Sequence, residues 1–153
     1  MVADVSQRDQ PMSGIQPKRK PRPGVDEYGR TPLHYAACDG KAEDVARLLK
    51  DGANPNVQDH NGWAPLHFAA QAASSDATNL LLNAGADVRK KDAYGNTPLL
   101  RAVHSSRGDG RVIQLLRDAG ADPKEANNHG VSPVSLARMI SNYDVAQFFS
   151  DVS

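Results

Sequence analysis

Cysteine is nearly absent from this sequence: Cys38 stands alone, so no internal disulfide framework can form. That fits a reducing compartment, or indifference to redox conditions. Net charge is absent too, with 18 lysines and arginines balancing 18 aspartates and glutamates. A dedicated nucleic-acid or membrane-surface binder needs excess positive charge, so neutrality argues against both. No stretch of about 18 apolar residues occurs, so no membrane span is expected. The opening MVADVSQRDQPMSGIQ lacks an apolar segment, so no secretory signal is expected. What is present is 153 residues, 39% apolar and 24% charged, enough for one domain and short for two.

The charge is uneven. Residues 1–24 carry five bases against two acids, and four of the ten prolines. They have few apolar residues and no period. Burial there cannot offset chain entropy, so a disordered, basic, Pro-rich tail is expected. Lys18, Arg19, Lys20 and Arg22 read first as a solvated run, with a nuclear-import signal as the alternative. Residues 25–153 carry 13 bases against 16 acids.

This second part repeats. Pro32, Pro65, Pro98 and Pro133 are separated by 33, 33 and 35 residues. Glycine stands three before each proline, at 29, 62, 95 and 130. Asp26, Asp59, Asp92 and Asn127 stand three before the glycines. Asp-x-x-Gly reads as a tight turn in which glycine takes positive φ. Thr31, Thr97 and Ser132 read as N-caps, each followed by a proline pre-set for the first helical position. Ala64 should make a weaker cap. Leu33, Ala36 and Ala37 mark the buried side of a first helix of about eight residues, with small alanines allowing close approach. A leucine-rich second helix ends at Gly52, Gly85 or Gly120. One such unit cannot bury its own apolar face; units stacked side by side can.

The text DEYGRTPLHYAA and its period resemble the ankyrin repeat, over residues 26 to about 151. The resemblance implies an all-α solenoid of stacked helix-turn-helix units carrying β-turn fingers. Its repeats span about 26–58, 59–91, 92–126 and 127–153, within a domain of residues 25–153. Leu100 and Ser135 replace the usual histidine, and repeat three is two residues longer around 105–110. Repeat four lacks the Gly-Ala-Asp end.

Second-helix positions suggest finished ends. Asp44 and Arg47 are polar where later repeats have Ala77/Leu80, Val112/Leu115 and Val145/Phe148. At the other end, Arg117 and Ser150 stand where Leu49 and Leu82 stood. Wettable outer faces are what terminal repeats need. The expectation is an array complete at four repeats, monomeric by itself.

Chemistry finds little support. His34 and His67 recur at one repeat position, which points to a structural hydrogen bond between repeats. A nucleophile pair of Cys38 with His34 at i, i+4 is conceivable but has no orienting group. His60, His104 and His129 fall in different repeats, so no metal site is expected. Gly108-Asp109-Gly110 lacks the Lys-Ser/Thr of a phosphate loop, and Arg107-Gly108-Asp109 is a chance match to an adhesion tripeptide. The chain is read as a non-enzyme without a cofactor.

Stacked repeats bind through an extended concave surface. The resemblance places contacts on the turn tips and the exposed side of the first helix. The tips are Glu27, Tyr28, Arg30, His60, Asn61, Trp63, Ala93, Tyr94, Asn96, Asn128, His129 and Val131. The helix positions are Cys38, Asp39, Gln71, Ala72, His104 and Ser105. Tyr35 and Phe68 share a repeat position and read as core. Trp63 reads either as a binding hot spot or as packed against the neighbouring finger. Arg89-Lys90-Lys91 reads as a solvated loop or a steering patch for an acidic partner. The leading reading is one protein partner, bound as an inhibitor or adaptor. The alternatives are a bacterial-type immunity protein neutralising a toxin, or a nuclear regulator of a transcription factor. The expected compartment is the cytoplasm, or the nucleus if the basic run is an import signal. Nucleic-acid binding through the tail is a third reading, which the acidic body opposes.

Overall fold

A computed structural model of the chain describes residues 24–153. The expected basic tail and import signal therefore lie outside the described residues, apart from Gly24.

Seven α-helices occur among the described residues: α1 Pro32–Cys38, α2 Ala42–Lys50, α3 Pro65–Gln71, α4 Ser75–Asn83, α5 Pro98–Ser105, α6 Arg111–Asp118 and α7 Pro133–Met139. A single 3-10 turn follows at Ala146–Phe149. The first helices α1, α3, α5 and α7 form one row, each touching the next; α2, α4 and α6 form a second row behind it. No helix is long and apolar enough to cross a membrane among the described residues.

Each first helix starts the same way. The residue before the proline is extended, with ψ between 163 and 167° at Thr31, Ala64, Thr97 and Ser132. The proline then enters the helix where its missing N–H costs nothing. Thr97 and Ser132 hydroxyls accept the N–H groups of Leu100 and Ser135, as caps do. Repeats one and two work differently. The Nδ1 of His34 and of His67 accepts the N–H of Thr31 and Ala64, at 2.9 and 3.0 Å. The histidine thus supplies a partner at the Ala64 start that alanine itself cannot offer.

Second helices end as the glycine pattern predicts. Gly52, Gly85 and Gly120 take φ of +95°, +94° and +98°. The N–H groups of Ala53, Ala86 and Ala121 reach back to the carbonyls of Leu48, Leu81 and Leu116, closing a Schellman motif three times.

Small residues let the rows close up. Ala37, Ala69, Ala70 and Val103 are fully buried on the first helices, against Val45, Ala77, Leu81, Ile113 and Leu116 from the second. Burial of this apolar area supplies the stabilisation, at roughly 25 cal/mol per Å2.

Three expectations need correction. The fourth repeat has no second α-helix: only Val145 and Phe149 of its last segment are fully anchored in the core, and a helix this short depends on packing. Tyr35 is not core but 42% exposed. Leu33, Ala36 and Ala37 take the inward stripe, which turns position 35 outward, where its hydroxyl donates to Asp26. Phe68 is likewise only half-buried. Arg117 does not make a wettable end face. It lies over the Phe149 ring at 5.2 Å, pairs with Asp151 at 2.7 Å and donates to the Phe148 carbonyl at 2.8 Å, joining repeats three and four.

Candidate functional site

The fingertips are tied to one another through the backbone. The N–H groups of His60, Ala93 and Asn128 donate to the carbonyls of Tyr28, Asn61 and Tyr94, each at 2.9 Å. Within each finger the turn acid or amide accepts two N–H groups; Asp59 takes those of Asn61 and Trp63. The glycine of the turn serves this spacing. A Cβ on Gly62 would lie 2.8 Å from the Asp92 Cα, so only glycine permits the approach. The ladder makes the tips a rigid row.

All eighteen expected contact residues are at least partly exposed, and they fall into two groups. Several hold the ladder together. Arg30 pairs with buried Asp59 of the next finger at 3.1 Å and lies over the rings of Tyr28, Tyr35 and Phe68 at 5.4, 5.9 and 5.3 Å. Burial opposes its charge, but the bonds to Asp59 and Tyr35 prevail and raise its pKa. The Asn96 carbonyl oxygen of the side chain accepts from Asn127 at 2.9 Å, and Asn128 donates to the Ala93 carbonyl at 3.2 Å. Glu27, His60 and Val131 are half-buried among them. The second group faces outward: Tyr28, Asn61, Ala93, Tyr94 and His129 on the tips, and Cys38, Asp39, Gln71, Ala72 and His104 on the helices, with Ser105 half-exposed.

Trp63 belongs to both groups. It is half-buried, with its ring 4.8 Å from Phe68 and Arg101 stacked 4.8 Å from its centroid. Its ring packs on His67 and Phe68 of the following helix and on Arg101 of the next repeat. Arg101 in turn donates from Nε and Nη2 to the Gln71 side-chain oxygen, at 3.2 and 2.6 Å. Ser105 donates to that same oxygen at 3.4 Å. Burial lowers the Arg101 pKa, opposed only by Asp92, and burial with the Arg101 charge lowers that of His104.

Four face residues escaped the sequence reading: Tyr35, Phe68, Arg101 and Met139. Met139 is 63% exposed. The signal was available. Positions 35, 68 and 101 stand three before 38, 71 and 104, one helical turn along the same face. The next position in that second series is 139.

Both ring nitrogens of His34 are engaged, by Thr31 and by the Trp63 carbonyl, so neither serves Cys38. No group of three or more His, Cys, Asp or Glu side chains could hold a metal ion among the described residues. What the geometry offers is a row of aromatic, amide and charged tips beside a row of exposed helix positions. A family model described as ankyrin repeats (3 copies) matches residues 37–127 of this chain.

Proposed function

The chain belongs to the ankyrin repeat family, whose repeats are protein-interaction modules, and from that premise we propose that it binds one protein partner along its fingertips and first helices, as an inhibitor or adaptor. The carrying observation is where apolar surface is left bare. Of the five large hydrophobic residues that are exposed among the described residues, Tyr28, Tyr35, Tyr94 and Met139 lie on this one face. Exposed apolar groups gathered on one side mark an interaction surface, and tyrosine suits it because its ring buries area at low entropic cost. The eighteen contact positions and the four added by the structure reach the 20–30 residues a standard interface uses on each side. The backbone ladder holds the face in place beforehand, so little ordering entropy is lost on binding. That rigidity supports blocking or bridging a partner.

The test is quantitative affinity capture with the double variant Tyr94→Ala/Met139→Ala. Both side chains are over 60% exposed, so melting should not change. Captured partner should fall at least tenfold, while Gln114→Ala on the outer row leaves it intact. Capture that ignores the double variant but responds to the outer row would overturn the reading.

A further inference from the structure

The arginines of this chain are mostly neutralised internally. Arg30, Arg47, Arg89, Arg111 and Arg117 each pair with an aspartate. Arg101, Arg107 and Arg138 have no carboxylate partner among the described residues, and of these only Arg101 is half-buried. A cation withdrawn from water without a counter-charge is a standing cost, lowered when an anion arrives. Asp92 is the acid that acts on it electrostatically, but Asp92 is buried and takes the N–H groups of Tyr94 and Asn96.

The guanidinium is held ready. Trp63 supports one face at 4.8 Å, and the Gln71 oxygen fixes Nε and Nη2 at 3.2 and 2.6 Å. Nη1 makes no hydrogen bond among the described residues. Gln71, which Arg101 and Ser105 both bond, lines with Ser105 an open cavity of about 520 Å3 that His104, Arg107 and Asp109 also line. Asp109 is the cavity's one carboxylate, and it is already taken: Arg111 contacts it at 2.7 Å and holds its pKa down to about 2. That leaves Arg107 as the lining charge with no carboxylate partner among the described residues.

We propose that Arg101 is a docking point for a carboxylate, so that the protein partner presents an acidic segment which lies across Arg101 and the cavity at the C-terminal ends of α3 and α5. The proposal rests on the interaction face described above and specifies the chemistry it recognises. A planar guanidinium with its Nε/Nη2 edge held by Gln71, one face on Trp63 and its Nη1 side open accepts a carboxylate in a defined orientation, which a lysine could not enforce.

The probe is a library of random twelve-residue peptides displayed on phage and selected against the full chain, keeping those whose binding the Tyr94→Ala/Met139→Ala pair weakens. Asp and Glu should be enriched over the input. Changing the selected acid to its amide should cost about tenfold or more in affinity, the range of close interfacial charge pairs. The decisive variant is Gln71→Glu, which supplies Arg101 with an internal carboxylate at the same place. It should melt no lower than the parent, lose the same tenfold, and show no further loss when the peptide's acid is amidated. Arg101→Gln should match it in binding. Finger-side peptides without acidic enrichment, or full affinity in Gln71→Glu, would overturn the carboxylate site and leave the interaction face standing. Peptides indifferent to both Tyr94 and Met139 would overturn the face and this site together.

Discussion

The Nε2 of His34 stands 3.0 Å from the carbonyl oxygen of Trp63, in the next repeat, and His67 stands in the same relation to Asn96 at 2.9 Å. Since Nδ1 of each ring accepts a backbone N–H, Nε2 must carry the proton and donate. Each imidazole thus closes the start of its own helix and clips on the following finger, and it does so only when neutral.

That neutrality has a pH consequence. Burial lowers the pKa of both His34 and His67 below the usual 6.5, and that of His104 with them. The unfolded chain then binds protons that the folded chain refuses, so stability is full above pH 6.5 and declines as pH falls below it. The melting temperature should drop between pH 7 and pH 5, above the carboxylate range. Replacing both histidines by leucine, the residue at position 100, should flatten that slope measured by calorimetry. It should also lower stability at pH 7 by roughly 1–3 kcal/mol per site, from backbone groups left without partners.

Glycines in equivalent-looking turns should differ in cost. Gly52 has φ +95° and open space around a would-be Cβ, so Gly52→Ala should cost only the left-handed strain, about 1–2 kcal/mol. Gly62 has φ +82° and backbone of the next finger 2.8 Å away. Gly62→Ala should cost clearly more, because the ladder must separate, and denaturant titration of the two variants gives the comparison.

Two positions depart from their own repeats and should be improvable. Thr78 is fully buried with its hydroxyl unpartnered, where repeats one and three have Val45 and Ile113. Thr78→Val should raise stability by about 1 kcal/mol, seen as a melting shift of about 2–4 °C. Ala73 sits at φ +55° in the turn where repeat one uses Gly40 at φ +66°. Ala73→Gly should relieve about 1 kcal/mol of strain, less the extra freedom of glycine in the unfolded chain.

At the C-terminal segment, packing and charge can be separated. Phe149 is 1% exposed, and Phe149→Ala should cost about 3–5 kcal/mol. Asp151 is held by Arg117 with its pKa down to about 2, yet it is solvent-exposed. Asp151→Asn should leave thermal melting nearly unchanged, since a bond at an exposed carboxylate competes with water.

Trp63→Ala should lower both melting and partner affinity, because the ring supports Arg101 and covers Phe68. Partner titration and calorimetry on the same variant would expose a purely structural or a purely binding role.

The sequence alone determined the repeat. Its period, the turn acid, the proline start and the glycine stops act within a few residues of themselves, so local stereochemistry makes them readable. The inward stripe of Leu33, Ala36 and Ala37 follows from helical spacing for the same reason. The recurring histidine also pointed correctly to a bond between repeats. Tertiary structure decided what stacking does to particular side chains. Arg117 became a link between repeats through Phe148 and Asp151, more than thirty residues on, and the last helix shrank to one 3-10 turn held by Val145 and Phe149. The face itself depended on stacking. Trp63 and Gln71 come from repeat two and Arg101 from repeat three, and only the stacking of the two repeats brings ring, amide and cation within hydrogen-bond and stacking distance.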